Sequence, residues 1–177
     1  MTDLELRLIR LEAEATIRNE LARYARSVDR KDWKTVRDCY HEDATDQHGT
    51  YSGGRDGFIE WVDARHAATR RSVHFLGNIM IDWINTENAF VETYFVAMKR
   101  QDDPEPDITS RDDLIVGRYL DHFQKRENNW RVANRMVVYD LTQKLIADGS
   151  EPPMNGSRGR RDSNDPAIAF RAKIATQ

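Results

Sequence analysis

Apolar residues near the N-terminus recur at helical spacing. Leu4, Leu8, Leu11 and Ala15 form one stripe, and Ile17, Leu21, Tyr24 and Val28 continue it with a small shift. Steps of three and four turn one side of a helix toward a core, so residues 3–28 are expected to be helical, with Thr2 or Asp3 capping the start. A second, shorter helix is expected over Asp32–Tyr40, with Trp33, Val36 and Tyr40 on one side. The stretch HEDATDQHGTYSGG loses the helical period and gains turn residues, which fits a short strand and a turn. Arg55–Thr69 is helix-like again, with Phe58, Trp61 and Val62 clustered.

After Arg71 the pattern switches to strands. SVHFLGNIMIDWI, NAFVETYFVAMKR, DDLIVGRYLDHFQKR and NWRVANRMVVYDL are runs rich in β-branched and aromatic residues. NTEN and ENN read as hairpin turns, and PEPDITS as a longer connection, because Pro104 and Pro106 cannot donate to a ladder. Helices followed by antiparallel strands predict an α+β domain over residues 1–145, its N-terminal helices packed on a curved, mostly antiparallel sheet that encloses a pocket. Residues 146–177 are rich in Gly, Pro, Ser and Arg and are read as an extended C-terminal tail, free to wrap a neighbouring subunit. The runs 111–125 and 130–141 are apolar on both faces, so the outer sheet face needs cover, which a homo-dimer or homo-trimer would supply.

Composition narrows the field. A chain of 177 residues favours one domain. With 27 basic and 30 acidic residues the net charge is -3, without the basic excess of a nucleic-acid binder. No run approaches the ~20 apolar residues of a membrane span, and the acidic, amphipathic N-terminus lacks the apolar block of a signal peptide. The lone Cys39 excludes an internal disulfide and a cysteine-cluster metal site. The expectation is a cytoplasmic protein that engages neither nucleic acid nor membrane.

Familiar chemical motifs are absent: there is no Gly-rich phosphate loop, no GxSxG and no HExxH. His41, His48, His66, His74 and His122 are scattered, and the one cluster, His41–Glu42–Asp43, sits beside a turn and reads as solvated charge, so no metal is expected. His74 is more informative because it interrupts an apolar strand. Alternation groups it with Leu76, Asn78 and Met80, opposite Val73, Phe75, Ile79 and Ile81. Taken alone it reads first as a satisfied core group, although a buried neutral imidazole is also what a general base needs. Asp29 lies where the first helix pattern ends, as a C-terminal polar residue or a cap, but Asp32 fits the cap at least as well, which leaves Asp29 spare; a carboxylate bonded to a histidine would fix its tautomer. Tyr24 precedes it by five residues, ~140° around a helix, so the two share one pocket only if the helix ends or bends near Val28. Alternation groups Arg135 with Arg131, Ala133, Val137 and Tyr139 in an apolar strand, where it needs an anionic partner, structural or reacting. Arg118 and Tyr119 pose the same question on the preceding run.

In order and spacing, LARYARSVDRKDW, CYHEDAT, GRDGFIEW, SVHFLGNIMID, AFVETYF and GRYLDHFQKRENNWRVANRMVVYD, over about residues 10–142, resemble the SnoaL-like branch of the nuclear transport factor 2-like superfamily. In members of the scytalone dehydratase, hexachlorocyclohexane dehydrochlorinase and bile acid 7α-dehydratase type, an aspartate ending the first helix and a histidine on the sheet form a dyad. Asp29 and His74 stand at the matching positions, and Tyr24 and Arg135 match the bile acid enzyme's helix tyrosine and late-strand arginine. The aspartate which that enzyme carries on the next strand has no counterpart here, where Val96, Ala97 and Met98 stand. The resemblance implies a cystatin-like cone and a cofactor-independent lyase, of dehydratase or dehydrohalogenase type, with an Asp–His general base. Isomerase or cyclase chemistry, or a non-catalytic subunit like the small subunit of ring-hydroxylating dioxygenases, are the alternatives. The implied substrate is an apolar cyclic or aromatic small molecule, for which Phe58, Trp61, Phe75, Met80, Tyr94, Met98 and Tyr119 offer lining. No cofactor is implied.

Overall fold

Thr2 opens the first helix. In the computed structural model, which describes residues 2–101, 111–146 and 157–176, its hydroxyl accepts from Glu5 N–H at 3.2 Å and the Glu5 carboxylate accepts from Thr2 N–H at 2.7 Å. This reciprocal pair satisfies two N–H groups that a helix start leaves without partners. The helix α1 runs Asp3–Arg30 and stops where Lys31 turns left-handed at φ 55°. Asp32 then caps α2 (Trp33–Asp38), accepting from the Thr35 N–H at 3.1 Å and its hydroxyl at 2.7 Å. Tyr40 does not close that helix as expected; it opens β1 (Tyr40–His48), which turns through Gly49 (φ 64°) into β2 (Tyr51–Gly54). The third helix, α3 (Arg55–Arg65), is shorter than expected, since Thr69 already belongs to the next strand.

The four strand-like runs are β3 (Thr69–Trp83), β4 (Asn88–Gln101), β5 (Arg111–Arg126) and β6 (Asn129–Ile146). They form a meander, and the six strands lie in the order β2-β1-β6-β5-β4-β3. All neighbours are antiparallel except β1 and β6, which run parallel. The sheet is curved and open, and α1 packs on one face of it. Ile17, Leu21, Tyr24 and Val28 of α1 meet Val91, Phe95, Tyr119, Phe123 and Val132 there in the core. The earlier part of the α1 stripe departs from expectation. Leu4, Leu8 and Leu11 are exposed, because nothing in the described chain covers those turns.

Bulges within the strands decide which side chains face inward. Asn78 (φ 45°) has no cross-strand partner between Gly77↔Tyr94 and Ile79↔Thr93. Ala133 and Asp140 are likewise skipped between β5 and β6. Each extra residue reverses the alternation that follows it. His74 and Leu76 therefore share the helix-facing side with Ile79 and Ile81, whereas simple alternation opposed them. In the same way Arg135, Val137, Trp130 and Val132 all point inward. The outer face keeps Val73, Phe75, Met80, Tyr94, Val96 and Met98 exposed. Arg118 lies on that face too, bonded to Asp140 at 3.0 Å and Glu92 at 3.3 Å, so its partners are structural.

Beyond β6 the chain returns to its own body. Arg161 donates to the carbonyls of Asp29 (2.8 Å), Thr69 (2.8 Å) and Val28 (3.1 Å). Asp165 caps a further helix, α4 (Pro166–Ala175), with proline at its start. An extended conformation therefore does not describe this part of the tail; residues 147–156, like the PEPDITS connection with Pro104 and Pro106, lie outside the described residues. No helix among the described residues is long and apolar enough to cross a membrane.

Gly117 stands beside the Asp140 bulge, where β6 crowds it. A methyl group there would come within 2.2 Å of the Val138 carbonyl oxygen and 3.0 Å of the Phe95 ring. Gly117→Ala is expected to lower the unfolding free energy by about 1–3 kcal/mol, as overpacking does. At Gly77 an added methyl meets nothing within 4 Å, so Gly77→Ala should stay within ~0.5 kcal/mol of the parent. Urea denaturation of the two variants checks the contrast, and equal midpoints would refute it.

Candidate active site

Asp29 ends α1 with its carboxylate turned toward β3. Oδ1 accepts from the Ser72 hydroxyl at 2.8 Å, and Oδ2 from the His74 backbone N–H at 2.9 Å. Oδ1 also lies 2.7 Å from His74 Nδ1. An ionised carboxylate can only accept, so the geometry assigns the imidazole proton to Nδ1 and leaves the lone pair on Nε2. Burial raises the Asp29 carboxyl, but the hydrogen bonds and charge of His74 and the bond from Ser72 outweigh it and hold the group below its ordinary value.

His74 lines a cavity of about 240 Å³ between the sheet and the helices. Tyr24 and Val28 of α1 form one wall, and Trp61, Val62, Arg65 and His66 of α3 with the adjoining turn form another. The sheet contributes Phe95, Ala97 and Lys99 of β4, Ile115 and Tyr119 of β5, and Tyr139 and Thr142 of β6. Residues 48–50, at the β1–β2 turn, complete the lining. Phe95 and Tyr119 stack with ring centroids 4.4 Å apart and planes 17° apart, and the Phe95 ring lies 6.5 Å from that of His74.

Arg135 sits behind this wall. It has no exposed surface and is bound through two nitrogens to Asp121, at 2.6 and 2.7 Å. A third nitrogen reaches the Tyr40 hydroxyl at 3.2 Å, which in turn donates to Asp46 at 2.8 Å. The rings of Tyr24 and Tyr119, set edge to face with each other, both pack against it, each centroid 4.2 Å from Cζ. Burial raises the Asp121 carboxyl against the pull of Arg135. Burial also raises the Tyr24 phenol, which therefore stays protonated across the neutral range.

The structure brings together some of the residues singled out from the sequence and separates others. Asp29 and His74 meet, and Tyr24, Trp61 and Tyr119 join His74 in the lining. Arg135 does not face the cavity, and its partner is the structural carboxylate of Asp121. Phe58 is fully buried core, packed on His48 and Tyr40. Met80, Tyr94 and Met98, which were expected to touch substrate, are 51%, 44% and 46% exposed on the opposite face of the sheet, as is Phe75. Their places are taken by residues of the other parity, Phe95, Ala97 and Lys99. His48 and His66 were visible only as scattered histidines, yet both line the cavity. His48 stacks on Phe58 at 5.3 Å, and its Nδ1 lies 3.5 Å from Asp46 Oδ1, long for a hydrogen bond. His41 and His122 bond instead to Gln124 and Asn88, away from the cavity. No cluster of three His, Cys, Asp or Glu side chains among the described residues is placed to hold a metal.

A curved sheet with helices on one face, a half-enclosed aromatic cavity and a carboxylate–histidine pair at its edge define a small-molecule pocket protein of the cone-shaped α+β class. Residues 9–136 match the SnoaL-like domain, and the chain belongs to that family. A structure described as a putative scytalone dehydratase from Novosphingobium aromaticivorans is 19% identical, with 84% of this chain and 97% of that one covered at a TM-score of 0.69. Hexachlorocyclohexane dehydrochlorinase LinA-type3 from Novosphingobium barchaimii is 17% identical, with 82% and 99% covered and a TM-score of 0.69. The beta subunit of a putative aromatic-ring-hydroxylating dioxygenase from N. aromaticivorans is 18% identical, with 75% and 92% covered and a TM-score of 0.59. At these identities the likeness is one of fold. No curated protein matches the sequence.

His66 gives the site a pH signature. Burial, then the charges of Lys99 and Arg161, push its imidazole down to about 2, and Nδ1 accepts from Arg161 at 2.6 Å. An unfolded histidine titrates near ~6.5, so below that pH the unfolded chain binds a proton that the folded one refuses. The stability His66 contributes is thus complete above ~6.5 and falls as pH drops toward the folded value. His66→Gln, which keeps an acceptor near Arg161, should flatten the decline of the urea midpoint between about pH 6.5 and 5. An unchanged slope in that window would contradict a neutral, buried His66.

Proposed function

We propose that the protein is a cofactor-independent lyase that removes water or a halide from an apolar cyclic or aromatic small molecule. The observation that supports this reading best is the 2.7 Å contact of Asp29 with His74 at the edge of an aromatic cavity. A scaffold subunit has no need of an imidazole whose tautomer is set by a charged partner and whose other nitrogen is left for a ligand. The fold-level likeness to a dehydratase and to a dehydrochlorinase points the same way.

In this reading Nε2 of His74 removes a proton from carbon next to the leaving group. The C–H electron pair becomes the new double bond, and the leaving group departs with its own pair. Asp29 stabilises the imidazolium that forms. Tyr24 is the lining group suited to donate a hydrogen bond or proton to departing oxygen, since its phenol remains protonated. Arg135 acts from behind by covering the Tyr24 ring, not by touching substrate. The aromatic side chains of the lining hold the substrate ring.

A screen of hydroxylated and halogenated cyclic compounds for alkene formation tests the activity. With a substrate in hand, His74→Gln should reduce turnover by about 10²–10⁴-fold while the fold persists. Asp29→Asn should also slow it, by disturbing the tautomer and the charge. Unchanged turnover in both variants would show that the pair does not carry the reaction.

We also infer a homo-oligomer. Phe75, Val96 and Met98 leave an apolar outer sheet face that the described chain does not cover. Light scattering at micromolar concentration should return a dimer or trimer, and Val96→Lys should weaken it; a monomeric parent protein would remove this inference.

A further inference from the structure

The cavity is charged with one sign only. Arg65 and Lys99 are both in its lining, and no aspartate or glutamate is. The three nearby carboxylates are turned elsewhere. Asp29 is engaged by Ser72 and by His74. Asp46 is fully buried beneath His48 and accepts from Tyr40. Asp113, opposite Lys99 on β5, accepts from Gln101 and lies 3.2 Å from Arg111. The Arg65 guanidinium rests over the Trp61 ring at 4.9 Å. Neither it nor the Lys99 ammonium has an ion pair within 4 Å among the described residues. Burial and the charge of Arg65 both lower the Lys99 pKa, with Asp113 opposing them from a distance. The histidines of the lining cannot balance this charge, and His66 is neutral because its Nδ1 accepts from Arg161.

Lys99 is half-buried, and a cation held in a partly desolvated wall normally finds an anion, while Arg65 stands exposed at the rim. The register shows where one would sit. On β3 and β4, His74 pairs with Ala97 and Ser72 pairs with Lys99. Lys99 is therefore the diagonal neighbour of His74 on the same face, a separation of ~7–8 Å. That is about the span of an aromatic ring with its substituent. The stacked Phe95 and Tyr119 rings lie farther along the same surface.

We propose that the pocket takes a cyclic or aromatic carboxylate, with the carboxylate on Lys99 and Arg65 and the ring against Phe95 and Tyr119. An acid anchored there presents the carbons nearest its carboxylate to His74. This names the substrate class of the lyase reading and rests on that reading for the reaction, while the binding itself stands apart from any turnover.

Calorimetric titration of the full chain with 1-naphthoate and with its neutral isostere 1-naphthamide separates the two. The acid is expected to bind at least about tenfold more tightly than the amide, and less tightly as salt rises. Lys99→Met should abolish the preference and Lys99→Arg should restore most of it, with circular dichroism confirming that each variant is folded. Arg65→Gln, at the partly exposed rim, should weaken the acid alone by several-fold. Equal affinity for acid and amide, binding of neither, or a preference that survives in Lys99→Met and Arg65→Gln alike would overturn the proposal. A carboxylate preference without elimination of any acid would fail the lyase reading alone. Elimination from neutral compounds without a carboxylate preference would fail this inference alone.

Discussion

A guanidinium without exposed surface constrains the interior of this protein. Stripping the water from Arg135 costs several kcal/mol unless its donors find acceptors, and the chain meets that demand with five residues from three elements. Asp121 of β5 takes two of its nitrogens, Tyr40 of β1 takes a third, and the rings of Tyr24 from α1 and Tyr119 from β5 pack against it. Asp46, farther along β1, secures the Tyr40 hydroxyl. One charge on β6 thus fixes how the first helix, the parallel strand β1 and the meander sit against one another. Tyr24 and Tyr119 also face the cavity. The wall a ligand meets is therefore backed by an ion pair that the ligand never touches.

The elements were legible in the sequence because their periods differ: three-and-four spacing before Arg71, alternation after it. Which face each strand buries was not. In NAFVETYFVAMKR both parities are apolar, so Tyr94 and Met98 looked as suitable for a pocket as Phe95 and Ala97. Lys99 was the signal that could have been weighed, a lysine of the Phe95 parity near the strand end. In β3 and β6 the bulges at Asn78 and Ala133 reverse the faces midway; Gly77 beside the first was a signal that could have been weighed, whereas nothing local announces the second. The parallel pairing of β1 with β6 joins segments far apart in sequence and left no trace in either. Asp29 and His74 stood out for the opposite reason: each was a polar residue without a local task, one beside a cap already supplied by Asp32, the other inside an apolar run.

Asp29 occupies a position that a carboxylate should avoid. The C-terminal end of a helix carries partial negative charge and several carbonyls without partners. Three donors from β3 offset the charge of the side chain. The carbonyls are met from two directions. Lys31 and Asp32 N–H groups turn back to Val28 and Ser27, and Arg161 spans Val28, Asp29 and Thr69. The same arginine binds His66 in the cavity wall. Sheet, helix end and returning chain are consequently one hydrogen-bonded unit, and the dyad is rigid because it closes a structural joint.

The cavity holds a second aspartate–histidine pair, and the contrast between the two explains why chemistry is assigned to one. Asp46 lies 3.5 Å from His48, and its other oxygen is committed to Tyr40. Burial lowers the His48 imidazole more than Asp46 supports it, so a proton arriving there would sit without a well-aligned counter-charge. Asp29 lies 2.7 Å from His74 and is itself held ionised by its donors. An imidazolium formed at His74 meets a fixed negative charge at hydrogen-bond distance, whereas one formed at His48 does not. On the proposed reading one histidine accepts a proton and the other shapes the aromatic wall, and the difference rests on where each carboxylate finds its remaining partners.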